Sequence, residues 1–173
     1  MGYQIDQSGK IEQTNRQTVV ALANGKKITI KITSTEKQKL IKTILELDKP
    51  KKKYVHKIFG ALLFLLLKDE DIKEPIMIDK EYFGHEPDIK NILLQLFEKY
   101  QLKSPEIDFG LVGKKSPAHD IGIRVFRKED KAILVVTAKD ILEVLYGKPK
   151  LSRASLRVST KKGWRSRSGR DNP

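Results

Sequence analysis

The sequence predicts an α/β domain: a mixed β-sheet that opens with three antiparallel strands and carries helices on both faces. Three observations predict it. Asn24-Gly25 separates the apolar run Thr18–Ala23 from the alternating run at 26–33, Lys27, Ile28, Thr29, Ile30, Lys31, Ile32. Both turn residues tolerate positive φ, and period-two alternation is the mark of a half-buried strand, so the pair reads as a hairpin. Residues 3–11 form a further strand ahead of it, joined through the polar turn 12–17. After the hairpin, helical periodicity alternates with short apolar runs, the order that lays helices on a sheet.

The remaining elements follow in order. Ser34 or Thr35 is placed to cap a first helix, with Glu36 in its first turn, where the helix dipole favours an anion. Leu40, Ile41, Ile44, Leu45 and Leu47 form its apolar face, and Pro50 lies just beyond its end. Residues 54–68 are apolar nearly all round, which predicts a buried helix. Ile76-Met77-Ile78 is a continuous apolar run ending in Asp79, as in a central strand. Pro87 suits the first turn of a helix carrying Ile89, Ile92, Leu93, Leu96 and Phe97. A strand at 106–113 and a helix beginning at His119-Asp120 come next. The β-branched run 131–136 predicts a last strand, and Thr137 caps a last helix, Ala138–Tyr146, stopped by Gly147 and Pro149.

Composition bounds the function. The chain has 173 residues, 39% hydrophobic and 33% charged, enough for one domain and a tail. Its net charge is +13, unevenly spread: residues 148–173 hold nine basic side chains and one acid. We therefore expect one domain over 1–147 and a basic, extended arm over 148–173. The arm has too few large apolar residues to build a core, and such polycationic segments meet nucleic acid. There is no cysteine, which excludes disulfides, thiolate metal sites and a thiol nucleophile. The longest apolar run, residues 58–67, is too short to span a bilayer, and the N-terminus lacks the apolar core of a signal peptide. A cytoplasmic protein with no membrane partner is the expectation.

Three aspartates stand at the boundaries of apolar segments: Asp6 between Ile5 and the Ser8-Gly9 pair, Asp79 after Ile78, and Asp120 before Ile121. A carboxylate inside a strand is costly to bury unless something pairs with it. Metal binding satisfies that demand; a solvated strand end or a helix cap avoids it. Ser8 has no identifiable base partner, which argues against a serine hydrolase. Gly110, Gly113, Lys114, Lys115 and Ser116 have only two residues between the glycines, where a phosphate-binding loop needs four. His56 and His85 read as structural.

With the elements in this order, residues 3–126 resemble the ribonuclease H-like fold. In that fold the first strand carries an Asp before a small-residue turn, here Asp6-Gln7-Ser8-Gly9. The fourth strand ends in a second, here Ile76-Met77-Ile78-Asp79, and a late helix begins with a third, here Ser116-Pro117-Ala118-His119-Asp120. The resemblance implies a divalent-metal-dependent nuclease. Asp6, Asp79 and Asp120 would be catalytic ligands of Mg2+ or Mn2+, with His119 as a proton shuttle or an aid to product release. Ribonuclease H proper has a Glu in the first helix; here that place is Lys39, with Glu36 one turn earlier as a substitute ligand. A Lys there implies instead that its ammonium fills one cation site. That departure keeps open a non-catalytic nucleic-acid-binding or assembly module of the same fold. Lys114 and Lys115 are placed to contact backbone phosphate. In the arm, Lys161, Lys162, Arg165, Arg167 and Arg170 would track phosphates while Trp164 stacks on an exposed base.

Overall fold

The computed structural model describes residues 2–48 and 53–149. The arm residues Lys161, Lys162, Trp164, Arg165, Arg167 and Arg170 lie outside the described residues, as does almost all of the segment 148–173. Six strands form one sheet: β1 (Tyr3–Ser8), β2 (Thr18–Ala23), β3 (Ile28–Ile32), β4 (Ile76–Asp79), β5 (Ile107–Gly110) and β6 (Leu134–Val136). Their order is β5-β4-β1-β2-β3-β6. β1, β2 and β3 pair antiparallel, while β4 runs parallel to β1, β5 to β4 and β6 to β3. Among the described residues there are five helices: α1 (Ser34–Leu47), α2 (Tyr54–Leu67), α3 (Glu86–Lys99), α4 (Pro117–Phe126) and α5 (Ala138–Tyr146).

The sheet separates two layers. α2 packs on β2 and β3 and touches α1, α3 and α5. It is the centre of the core: Ile58, Phe59, Leu62, Leu63 and Phe64 are all buried. Each such side chain contributes roughly 1.5–3 kcal/mol when withdrawn from water. α4 lies on β1 and β2. β2 is buried along its whole length because both of its faces are covered. Val20 and Leu22 belong to the core beneath α2, whereas Ala21 meets Gly122 of α4. Among the described residues no helix is long and apolar enough to cross a membrane.

Several element ends differ from the sequence expectation, each for a local reason. β1 stops at Ser8 because Gly9 turns the chain at φ +79°, and a Cβ there would meet the Gln17 carbonyl and the Phe126 ring. α1 is capped by Thr33, whose Oγ1 accepts from the Glu36 N–H at 3.3 Å, instead of by Ser34 or Thr35. α4 begins at Pro117, with Ser116 Oγ accepting the His119 N–H at 3.0 Å. β5 and β6 are shorter than the apolar runs containing them, and Leu134 and Val135 on edge strand β6 are exposed.

Candidate metal centre

Register and pleat bring two strand-borne carboxylates together. β1 and β4 are parallel neighbours with Ile5 opposite Ile78. Both isoleucines are buried in the core beneath α2. Side chains alternate along a strand, so the next residues, Asp6 and Asp79, sit on the opposite face. That is the face covered by α4, and Asp6 is only 4% exposed there. Glu81 joins them from the turn after β4, which is closed by the Glu81 N–H donating to the Asp79 carbonyl at 3.0 Å. One carboxylate oxygen from each of Asp6, Asp79 and Glu81 lies within 4.8 Å of the others.

Crowding acids in a partly dry place raises their proton affinity. Burial pushes Asp6 above its usual range; His119 opposes that shift and the Asp79 charge adds to it. Burial, reinforced by the Asp6 and Asp79 charges, pushes Glu81 up to about 7. Asp79 is held in place by the Val112 N–H, which donates to its Oδ1 at 2.7 Å. The group is oxygen-only and rich in negative charge, which suits a hard divalent cation.

α4 delivers the histidine. Gly122 lets the helix approach β1 closely: a Cβ there would lie 3.2 Å from Ser8 Oγ and 3.4 Å from Ala21. One turn earlier, His119 Nδ1 lies 3.0 Å from Asp6 Oδ2. Ser8 Oγ is buried without a hydrogen-bond partner beside this contact. The arrangement offers three clustered acid groups and an imidazole already engaged with the most buried of them.

Of the candidate residues read from the sequence, Asp6, Asp79 and His119 meet. Asp120 does not join the carboxylate group: it is exposed in the first turn of α4. A helix turns by about 100° per residue, so presenting His119 to Asp6 points its neighbour elsewhere. Glu36 is also committed elsewhere. Its Oε1 accepts from Lys39 at 2.7 Å and its Oε2 from the Ala138 N–H at 2.9 Å, and both bonds hold its carboxyl below the usual range. Lys39 is exposed and paired with Glu36, so it fills no cation site in the centre. The buried ammonium of α1 is Lys37, which donates to the Lys10 carbonyl and to Thr18 Oγ1, both at 2.9 Å, with burial pushing it down to about 8. Lys114 and Lys115 are exposed in the β5–α4 loop, whose Val112 is bonded to Asp79.

Sequence reasoning missed Glu81. Its only sequence signal is position: an acid two residues beyond Asp79, past the end of an apolar strand.

Fold and site together define a class: a mixed α/β domain, helices on both faces of a six-stranded sheet, with a candidate cation-binding carboxylate group at the ends of adjacent parallel strands. No protein-family model, curated protein or solved structure matches the chain.

Proposed function

We infer that the protein is a ribonuclease H-like, divalent-metal-dependent nuclease acting on nucleic acid. The observation that carries this reading is the convergence of Asp6, Asp79 and Glu81 within 4.8 Å. The strand order β5-β4-β1-β2-β3, antiparallel through β1–β3 and parallel from β1 to β5, supports the same reading. Asp6, Asp79 and Glu81 are the residues that would hold Mg2+ or Mn2+; when bound, the metal supplies an activated hydroxide and offsets charge developing on the scissile phosphate.

The chain's own groups have separate tasks. Asp6 and Asp79 are fixed by strands and cannot separate to relieve their repulsion. Glu81, whose carboxyl is raised to about 7 by burial and the two aspartates, would hold a bound cation in its ionised form. With Asp6 ionised, His119 Nδ1–H donates to it and Nε2 is left to take up or pass a proton. Lys114 and Lys115, in the loop tied to Asp79, supply charge for backbone phosphate. A cavity of about 450 Å³ lined by Arg16, Lys31 and Lys128 adds a further basic recess.

The test is cleavage of DNA, RNA and hybrid substrates with Mg2+ or Mn2+, comparing the wild type with Asp6→Asn. Metal-dependent cleavage that Asp6→Asn abolishes is expected; cleavage surviving that change, or none on any substrate, overturns the reading. A non-catalytic binding module of the same fold is favoured by one observation: α1 contributes no acid to the group, Glu36 being spent on Lys39 and α5. Manganese binding and nucleic-acid binding without cleavage would establish that alternative.

A further inference from the structure

A second group of ligating side chains lies outside the carboxylate centre. His56 sits in the first turns of α2, His85 immediately precedes α3, and Asp88 lies in the first turn of α3. One ligand atom from each lies within 4.8 Å of the others. His56 Nδ1 stands 4.0 Å from Asp88 Oδ2, and His85 Nδ1 stands 3.7 Å from the same oxygen. The two rings are tilted by 35° with centroids 4.3 Å apart.

His56 makes this more than a chance gathering. Its side chain is 9% exposed, yet Nδ1 is buried with no hydrogen-bond partner. Buried polar atoms are normally satisfied, so an imidazole nitrogen with no protein partner, gathered with a second imidazole and a carboxylate, is suited to bind a ligand. Lys53 takes the other oxygen of Asp88, Oδ1, at 3.4 Å and leaves Oδ2 facing the histidines.

We propose that His56, His85 and Asp88 form a transition-metal site, with Zn2+ as its ion and a water in the fourth position. Two imidazoles and one carboxylate suit zinc, whereas magnesium prefers oxygen ligands. Tetrahedral zinc needs ligand atoms about 3.3 Å apart. The gaps of 3.7 and 4.0 Å to Asp88, and the gap between the two imidazoles, all within 4.8 Å, are wider than that, so an ion would draw the three side chains together. Zinc here fastens the start of α2 to the start of α3.

Zinc titration of the full chain by calorimetry, in millimolar magnesium, tests the site. Asp6→Asn is run alongside to separate it from the carboxylate centre. His85→Ala is the main variant, because His85 is 54% exposed and its loss leaves the core untouched. Asp88→Asn keeps the shape and removes the charge. One zinc ion that resists magnesium, persists in Asp6→Asn and is weakened at least about tenfold in both other variants is expected. Zinc affinity in His85→Ala and Asp88→Asn within about twofold of wild type overturns the proposal, as does zinc binding lost only in Asp6→Asn. Cobalt(II) gives a second readout: an intense visible absorption from four-coordinate metal is expected in the wild type and absent in His85→Ala.

Discussion

Replacing Glu81 by Gln tests whether the carboxylate group stores repulsion that a cation relieves. In the folded protein burial and the Asp6 and Asp79 charges raise this carboxyl from 4.5 to about 7. Between those two pH values the folded state holds a proton that the unfolded chain has released. Stability therefore falls as pH rises through this window. At pH 8, with about 1.36 kcal/mol per pH unit, the unscreened penalty is roughly 3 kcal/mol. Glu81 is only partly buried, and solvent screening reduces this to about 1–2 kcal/mol.

Glu81→Gln removes the charge and keeps the size. Without metal at pH 8 the variant is expected to gain that 1–2 kcal/mol (about 3–6 °C in Tm) over the wild type. At pH 5 the gain shrinks to about 0.5 kcal/mol or less. Metal narrows the difference. At ten times its dissociation constant, a cation stabilises the wild type by about 1.4 kcal/mol, and a variant lacking one ligand gains less. Urea unfolding in EDTA and in magnesium, at pH 5 and pH 8, measures all four quantities. A metal-free variant no more stable than wild type at pH 8, or one with an undiminished magnesium gain, refutes the reasoning.

Other expectations follow from the same structure. Lys37 is lowered by burial from 10.5 to about 8, so the unfolded chain holds the extra proton between those values and stability rises with pH across them; subtracting the Lys37→Met profile, followed by denaturant melts, should isolate that rise. Gly9→Ala should cost about 2 kcal/mol or more, because φ is +79° and the new methyl meets the Gln17 carbonyl and Phe126; thermal unfolding checks it. Deleting residues 151–173 removes seven basic side chains and one acid. It should weaken nucleic-acid binding while leaving the fold's circular dichroism intact, and flatten the plot of log affinity against log salt by up to about 6 if every lost cation meets phosphate. An unchanged salt slope would remove the arm from the interface.

Much of the fold was legible because its signals are local. The Asn24-Gly25 turn, with Asn24 at φ 80°, joins β2 and β3 in the register the alternation requires. Thr137 caps α5 through a reciprocal pair with Asp140, and the largely apolar 54–68 run forms central helix α2. The candidate site was half legible. Asp6 and Asp79 were visible because an acid at the end of an apolar run is unusual. Asp120 stood at a segment boundary like them, and Glu36 was a substitute ligand for the place taken by Lys39, but both are diverted by features that depend on tertiary geometry. One is the azimuth of α4; the other is the unpaired Ala138 N–H of α5, which Glu36 caps. Lys37 reads as one more polar residue of an amphipathic helix, and only the packed loop at Lys10 and Thr18 shows that it is buried.

Both candidate metal groups draw on the stretch from the end of β4 to the first turn of α3. Asp79 and Glu81 enter the carboxylate group; His85 and Asp88 enter the imidazole group. Tyr82 stands between them. Its hydroxyl accepts from Gln7 Nε2 at 3.0 Å and from the Ile11 N–H at 3.4 Å, which ties the turn to the end of β1. Its ring packs 5.5 Å from Phe59 and 6.1 Å from His56, centroid to centroid, which ties the same turn to α2. The remaining ligands, Asp6 and His56, are supplied by β1 and α2, far away in sequence. The carboxylate group therefore forms only when β1 pairs with β4, and the imidazole group only when α2 packs against α3, so no local pattern announces Glu81, His85 or Asp88 as members.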